Sequence, residues 1–346
     1  MLKPKEELLD AVWGDRFVSD TAVTSCVKAA RRAIGDDGTE QRLIKTIHRR
    51  GYRFVGPVAS SAAGEVRDKQ TIRFCFTDDG TRIAYAATGE GPPLMKAANW
   101  MSHLDLEWST AVWSHWLHGL ALHRQLIRYD ERGCGLSDWD VGEFTFEDWV
   151  TDLETVVEAV GLDRFPLLGV SQGGAVAIDY AVRHPERVSH LILAGAYGRG
   201  RMARAVTEEE RRAAAIDLEL AQLGWARDDD SFLQVFASQF LPLGTPEEWN
   251  GFVEFQRKTT STENAVRFLE VFGQIDVSDL APKVECPTLI LHSRGDIRVP
   301  LDQAAELASA IPESRLVILD SRNHLLVQHE PAWAEFLAEI DVFLGE

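Results

Sequence analysis

Beyond about residue 71, short runs of β-branched and apolar residues alternate with stretches whose apolar positions recur at helical spacing. Pro93–Ala98, Phe165–Leu168, Thr288–His292 and Arg315–Leu319 read as strands. Phe146, Trp149, Val150, Leu153, Val156, Val157 and Val160 fall on one face of a helix over Phe146–Val160, and Thr145 with Asp148 three positions on supplies a capping-box start. The alternation stops near Tyr197. Four helices follow, over Glu208–Leu223, Ser231–Leu241, Pro246–Lys258 and Glu263–Phe272, with Thr207, Asp230, Thr245 and Thr262 ahead of them as caps. Strand–helix alternation then returns. This order predicts an α/β fold, a sheet with helices packed on it, carrying a helical insertion over about 197–284. The insertion's phenylalanines, from Phe232 to Phe272, have two uses open to them: lining an apolar pocket, or burying the helices against the body.

The first 58 residues follow a different pattern. Lys5–Trp13 and Asp20–Ile34 read as short helices, and Leu43–His48 and Tyr52–Val55 as two strands around a turn at Arg49–Gly51. Residues 59–70 are rich in Ala, Gly and charge without apolar periodicity, and read as a linker to a body spanning 71–346. Lys28, Arg31, Arg32, Arg49 and Arg50 stand on the last two elements of the N-terminal segment, where cations would meet phosphates.

Composition narrows the class. The chain has 346 residues, 45% hydrophobic and 26% charged, which excludes collagen-like and wholly disordered readings. No apolar run approaches the ~20 residues a membrane span needs. No basic segment followed by an apolar stretch and a small-residue cleavage site opens the chain. The four cysteines, Cys26, Cys75, Cys134 and Cys286, are scattered, which points to reduced thiols in a cytoplasmic protein. The net charge of −18 is unevenly spread: residues 1–58 hold 11 Lys and Arg against 8 Asp and Glu, and the remainder 25 against 46. A mildly basic head precedes an acidic body that would repel nucleic acid over unscreened distances.

The body carries the chemistry. Gly169-Val170-Ser171-Gln172-Gly173 fits G-x-S-x-G, with an apolar strand before it and a small-residue helix, Gly174–Val182, after it. That context puts a serine on a sharp turn at a helix N-terminus, where free N–H groups face any developing negative charge. A serine hydroxyl is a poor nucleophile until a base takes its proton. Among ten histidines, His324 lies in the loop after the strand Arg315–Leu319, with His329 the alternative nearer the Pro331 that opens the last helix. Asp296 follows the strand Thr288–His292 in the setting G-D-x-x-V-P and fits the acid that orients the imidazole, ahead of Asp320 and Glu330.

With GVSQGG, YDERGCGLSD over Tyr129–Asp138, RGDIRVP around Asp296 and RNH around His324, residues from about Ile72 to Glu346 resemble the α/β-hydrolase fold superfamily. The resemblance implies a sheet of about eight mostly parallel strands with helices on both faces and the insertion as a cap. It implies Ser171 as nucleophile, His324 as general base and acid, and Asp296 as the residue holding the ring. It implies an oxyanion hole from the Gln172 N–H and a second N–H at Trp100, or at Asn99. Many members carry His-Gly at this turn, where this chain reads Ala97-Ala98-Asn99-Trp100-Met101. Asn99 and His103, in the same loop, are candidates to border the pocket, with a solvated loop histidine the alternative for His103. The expected activity is hydrolysis of carboxylic esters through an acyl-enzyme, with lactones, amides and carbon–carbon bonds open to the same triad. No metal or organic cofactor is implied. A serine at the elbow argues against the dehalogenase and epoxide hydrolase members, which use Asp there.

The segment KEELLDAVWGDRFVSDTAVTSCVKAARRAIGDD, with the wing LIKTIHRRGYRFVGPV, resembles the second half of the winged-helix output domain of response regulators. The opening sheet and first helix of that domain would lie upstream of Met1. Two readings follow: a DNA-binding segment on a ligand-sensing regulator, or a remnant packed on the body or on a second copy. The incomplete core favours the remnant, and with it a homodimer that covers Leu8, Leu9, Val12 and Trp13.

Overall fold

A computed structural model describes residues 2–3, 20–33, 36, 39–47, 51–54, 70–227 and 229–345, in two units, Met1–Ser61 and Ala62–Glu346. In the first unit, β1 (Leu2–Lys3), α1 (Asp20–Ala33), β2 (Ile44–Ile47) and β3 (Gly51–Phe54) give an antiparallel sheet in the order β1-β3-β2. Leu2 lies opposite Arg53, and a strand of two residues has no periodicity by which the sequence could announce it. Arg31 is a correction to the expected DNA-contacting set. It is buried, and its guanidinium donates to the Ile44 carbonyl at 3.1 and 2.5 Å and to Thr46 Oγ1 at 3.0 Å, tying α1 to the hairpin. Lys28 and Arg32 are exposed. Arg49, Arg50, the expected helix Lys5–Trp13 with its apolar side chains, and linker residues 59–69 lie outside the described residues. Gln70 belongs to the body: its Oε1 accepts from Trp108 Nε1 at 2.8 Å and from Arg128 Nη2 at 2.6 Å.

The second unit begins with β4 (Thr71–Phe76), β5 (Arg82–Thr88) and β6 (Pro93–Lys96), followed by α2 (Ser114–Leu120) and β7 (Gln125–Tyr129). Next come α3 (Phe146–Val160), β8 (Phe165–Val170), α4 (Gly173–Arg183) and β9 (Val188–Ala194). The insertion supplies α5 (Glu208–Gly224), α6 (Ser231–Phe240), α7 (Pro246–Thr259) and α8 (Thr262–Gln274). The chain closes with β10 (Thr288–Ser293), α9 (Leu301–Ala310), β11 (Ser314–Leu319) and α10 (Pro331–Leu344). The eight strands β4–β11 form one sheet, ordered β11-β10-β9-β8-β6-β7-β5-β4, with β4, β5 and β7 joined antiparallel and the other pairs parallel.

Helical crossovers cover both faces of a parallel sheet, so its inner strands are largely apolar, and every residue of β10 is buried. The edge strand β4 has no such cover on its outer side and leaves Phe74 and Phe76 exposed. In α3, Trp149, Val150, Leu153, Val156 and Val157 are buried as their spacing requires, and the Asp148 carboxylate accepts from Thr145 N at 2.7 Å. In the insertion, Thr207 and Thr245 cap α5 and α7, each accepting from an N–H three residues on at 3.2 Å. Two expected caps are corrected. Ser261, one residue before Thr262, caps α8 by accepting from Asn264 N at 3.2 Å. Ahead of α6, Asp229 accepts from the Ser231 hydroxyl at 2.7 Å, while Asp230 is drawn off to Arg257. Among the described residues no helix is long and apolar enough to cross a membrane.

Candidate active site

The centre of the site is the sharp passage from β8 into α4. Ser171 has φ 52°, in the left-handed region that non-glycine residues rarely occupy. The two motif glycines permit it sterically. A Cβ on Gly169 would stand 2.6 Å from Gly174 Cα, and one on Gly173 would stand 2.5 Å from the Ala98 carbonyl oxygen. Ser171 N donates to the Ala194 carbonyl at 2.9 Å, which fixes the turn to β9.

His324 Nε2 is 2.9 Å from Ser171 Oγ, and His324 Nδ1 is 2.7 Å from Asp296 Oδ2, so the three side chains form one buried chain. They follow the C-terminal ends of β8, β10 and β11, within the run β11-β10-β9-β8 of the sheet. The other carboxylate oxygen of Asp296 accepts from the N–H groups of Arg298 at 2.8 Å and Val299 at 2.9 Å. Burial pushes the Asp296 carboxyl up, but the imidazole beside it and these N–H groups outweigh burial and hold it below the ordinary aspartate value. It therefore faces the ring as an anion, which requires the proton of His324 on Nδ1 and leaves Nε2 to accept from the serine.

The loop bearing His324 is tied on both sides. His324 N donates to the Phe240 carbonyl at the end of α6 at 2.8 Å, and Leu243 N donates to Asn323 Oδ1 at 2.9 Å. Glu330 gathers the Ser321 hydroxyl, Asn323 Nδ2 and Val327 N on one carboxylate. His329 is exposed and stands 3.6 Å from Glu248, away from this chain.

Gln172 N takes no acceptor among the described residues. The Trp100 N–H, expected as the second oxyanion donor, is instead turned to Gln172 Oε1 at 3.1 Å, because the residue after the serine sends its side chain back across the turn. Met101 follows with φ 53°. Asn99 and His103 are corrected as pocket residues. Asn99 is buried with its Oδ1 on Lys96 Nζ, and His103 Nδ1 accepts from Asp105 N and Leu106 N at 3.3 and 3.2 Å. Neither lines the cavity at Ser171.

That cavity measures about 260 Å³ and runs from Ser171, Gln172 and Trp100 into the insertion, against Leu218, Phe240 and Phe272. Of the insertion's phenylalanines only Phe240 and Phe272 reach it; Phe236, Phe252, Phe255 and Phe268 are buried elsewhere in the core. Its polar wall includes Tyr197, Arg201, Arg204, Asp217 and Arg298, none of which the sequence reading singled out. The only signal was Arg298 inside RGDIRVP, two residues past the orienting acid. Among the described residues no group of His, Cys, Asp and Glu is placed to hold a metal ion.

Comparison with known proteins finds relatives of the same fold. A sequence model described as alpha/beta hydrolase fold matches residues 104–330, and one described as transcriptional regulatory protein, C terminal, matches residues 2–54. A relative from Rhizobium rhizogenes, named "Putative carbamate hydrolase RutD", is 25% identical over 230 residues, covering 64% of this chain and 84% of its own length. A hydrolase from Pseudomonas aeruginosa PA01 superposes with TM-score 0.66 at 23% identity, over 80% of this chain and 99% of that one. An esterase from Rhodococcus sp. ECU1013 superposes with TM-score 0.62 at 25% identity, over 80% and 98%.

Proposed function

Given that the chain belongs to the alpha/beta hydrolase fold family, we propose that it is a serine hydrolase that cleaves carboxylic esters through Ser171, His324 and Asp296. The observation that carries the reading is the unbroken contact from Asp296 through His324 to Ser171 Oγ, opening on an apolar cavity. His324 Nε2 takes the hydroxyl proton as Ser171 Oγ attacks the ester carbonyl. The negative charge on the carbonyl oxygen falls at the start of α4, where the Gln172 N–H is free to receive it. His324 then passes its proton to the departing alkoxide, leaving an acyl group on Ser171. A water molecule, deprotonated by His324, attacks that acyl group and releases the acid and the free serine. Asp296 stays ionised throughout and stabilises the imidazolium.

The test is a panel of 4-nitrophenyl esters of increasing acyl length, with lactones and carbamates alongside, run on the wild type and on Ser171→Ala. Turnover should fall by about four orders of magnitude or more in Ser171→Ala. A fluorophosphonate should label Ser171 in the wild type, seen as a mass increase on the peptide that contains it. Ester hydrolysis that survives Ser171→Ala would overturn the assignment. Lactones or carbamates turned over far faster than every ester would replace the ester claim.

A further inference from the structure

The cavity at Ser171 has three arginines on its wall, in a chain whose net charge is −18. Arg201, Arg204 and Arg298 all line it. One carboxylate, Asp217 on α5, is shared by Arg201 and Arg298 through its Oδ2 oxygen, and Gln239 Nε2 donates to its other oxygen at 3.1 Å. Arg298 is also stacked over Phe236 and Phe240, at 5.0 and 4.8 Å from the ring centres, which fixes its guanidinium plane. Arg204 has no ion pair among the described residues; its Nη1 and Nη2 donate to the main-chain carbonyls of Arg199 at 3.1 Å and Arg298 at 3.4 Å. Glu270, the other acid on the lining, is exposed on α8.

Burial and the neighbouring guanidiniums both press Arg201 and Arg204 toward losing their charge. Arginine does not give up its proton in proteins, and one carboxylate, Asp217, stands among the three cations, so the cluster keeps a net positive charge that a further anion would offset. Arg201 and Arg204 also line a second cavity, and the other residues of the two linings differ in charge. The second lining carries Glu210, Asp302 and Glu306 against one further cation, Arg199, which is paired with Glu306, while in the first Asp217 is the acid that contacts the arginines. An anion is therefore favoured on the side that opens to Ser171.

We propose that Arg204, with Arg201 and Arg298 beside it, forms an anion subsite, and that the preferred substrates of Ser171 are esters bearing a free carboxylate. The one guanidinium left without a carboxylate partner matches a single negative charge better than a phosphate dianion. Charge-assisted, two-pronged contacts of this kind fix orientation as well as adding affinity, and hold the ester carbonyl toward the serine. The inference rests on the ester hydrolase reading for its substrate class, but the subsite can be tested without turnover.

Two measurements decide it. The first compares kcat/KM of the wild type on neutral 4-nitrophenyl alkanoates with the mono-4-nitrophenyl esters of dicarboxylic acids, from glutaric to suberic, matched in chain length. At least one carboxylate ester should exceed its neutral match by about tenfold to a hundredfold. Arg204→Gln should lower that ratio by a similar factor, mainly through KM, and Arg204→Lys should keep part of it. The second titrates Ser171→Ala by calorimetry with the monomethyl esters of the same acids, with neutral methyl alkanoates and ω-phosphonate analogues as controls. Carboxylate-dependent binding that Arg204→Gln removes supports the subsite even where no ester is hydrolysed. Equal kcat/KM across the matched pairs, with no carboxylate-dependent binding to Ser171→Ala, overturns the subsite even where neutral esters are hydrolysed. Tighter binding of the phosphonates than of the carboxylates overturns the carboxylate assignment. If Arg204→Gln does not fold, the wild-type ratio and Arg204→Lys still decide.

Discussion

Ser171 pays for its reactive position with a left-handed backbone, a conformation costing about 1–3 kcal/mol that the surrounding contacts must impose. Gly173 is one place where that imposition meets backbone, since a Cβ there would press on the Ala98 carbonyl at 2.5 Å, between β6 and the elbow. Gly173→Ala should therefore cost roughly 1–3 kcal/mol in urea denaturation and move the Gln172 N–H off the developing oxyanion. Ester turnover should fall by more than the loss of folded protein explains. A variant as stable and as active as the wild type would show that the elbow tolerates the strain. Glu131 tests the same neighbourhood by pH. It is fully buried behind Gln172, whose Nε2 lies 3.4 Å from its Oε2, and burial with Asp152 nearby pushes its carboxyl up to about 8. In the folded state it keeps its proton up to that value, whereas the unfolded chain releases it near the ordinary glutamate value of about 4.3. The stability it contributes is therefore complete below pH 4.3 and is lost as pH rises through 8. Glu131→Gln should flatten the decline in thermal midpoint between pH 5 and 8, measured by calorimetry; an unchanged decline assigns it to other groups.

The contact of Ser171, His324 and Asp296 was legible because strands, turns and motif order are local signals, and each of the three sits in the first residues after a β-rich run. The second oxyanion donor was not, since nothing in Trp100 itself says that a glutamine 72 positions away claims its N–H. The same holds for the arginine wall. Arg201, Asp217 and Arg298 read along the chain as solvated charges, and only the return of α5 over the end of β10 makes them neighbours. The loop–helix ties give two predictions at this scale. Glu330→Gln replaces acceptors for Ser321, Asn323 and Val327 with an amide that also presents donors, so it should lose about 1–3 kcal/mol. It should also lower kcat more than it raises KM, because it loosens His324 and not the cavity wall. Asp217→Asn leaves Arg201 and Arg298 facing each other, and breaking so enclosed a pair should cost about 3 kcal/mol in chemical denaturation. A stability within experimental error of the wild type would mean that the insertion does not depend on that carboxylate.

At the scale of the whole chain, charge and chemistry are divided along the same line. The second unit holds all eight strands of the large sheet, Ser171, His324 and Asp296, the cavity and its arginines, and 25 basic against 46 acidic residues from position 59 onward. The first unit holds the mildly basic segment that matches a transcriptional regulatory protein, yet one of its expected phosphate contacts, Arg31, is spent on the Ile44 carbonyl and Thr46. A polypeptide of 285 residues, as in Ala62–Glu346, is large enough to bury a complete hydrophobic core by itself, whereas a segment of about 60 residues is marginal. A chain beginning at Ala62 should then fold, unfold with the same main transition as the full protein, and hydrolyse its best ester within about twofold of the full chain's kcat/KM, since the residues assigned to the reaction are all retained. Kinetics on the two chains at matched concentration, with calorimetric unfolding of each, checks this. A shortened chain that folds with an unchanged transition but loses most of its turnover would mean that the reaction needs residues before Ala62, and the division of labour drawn from the two units would fail.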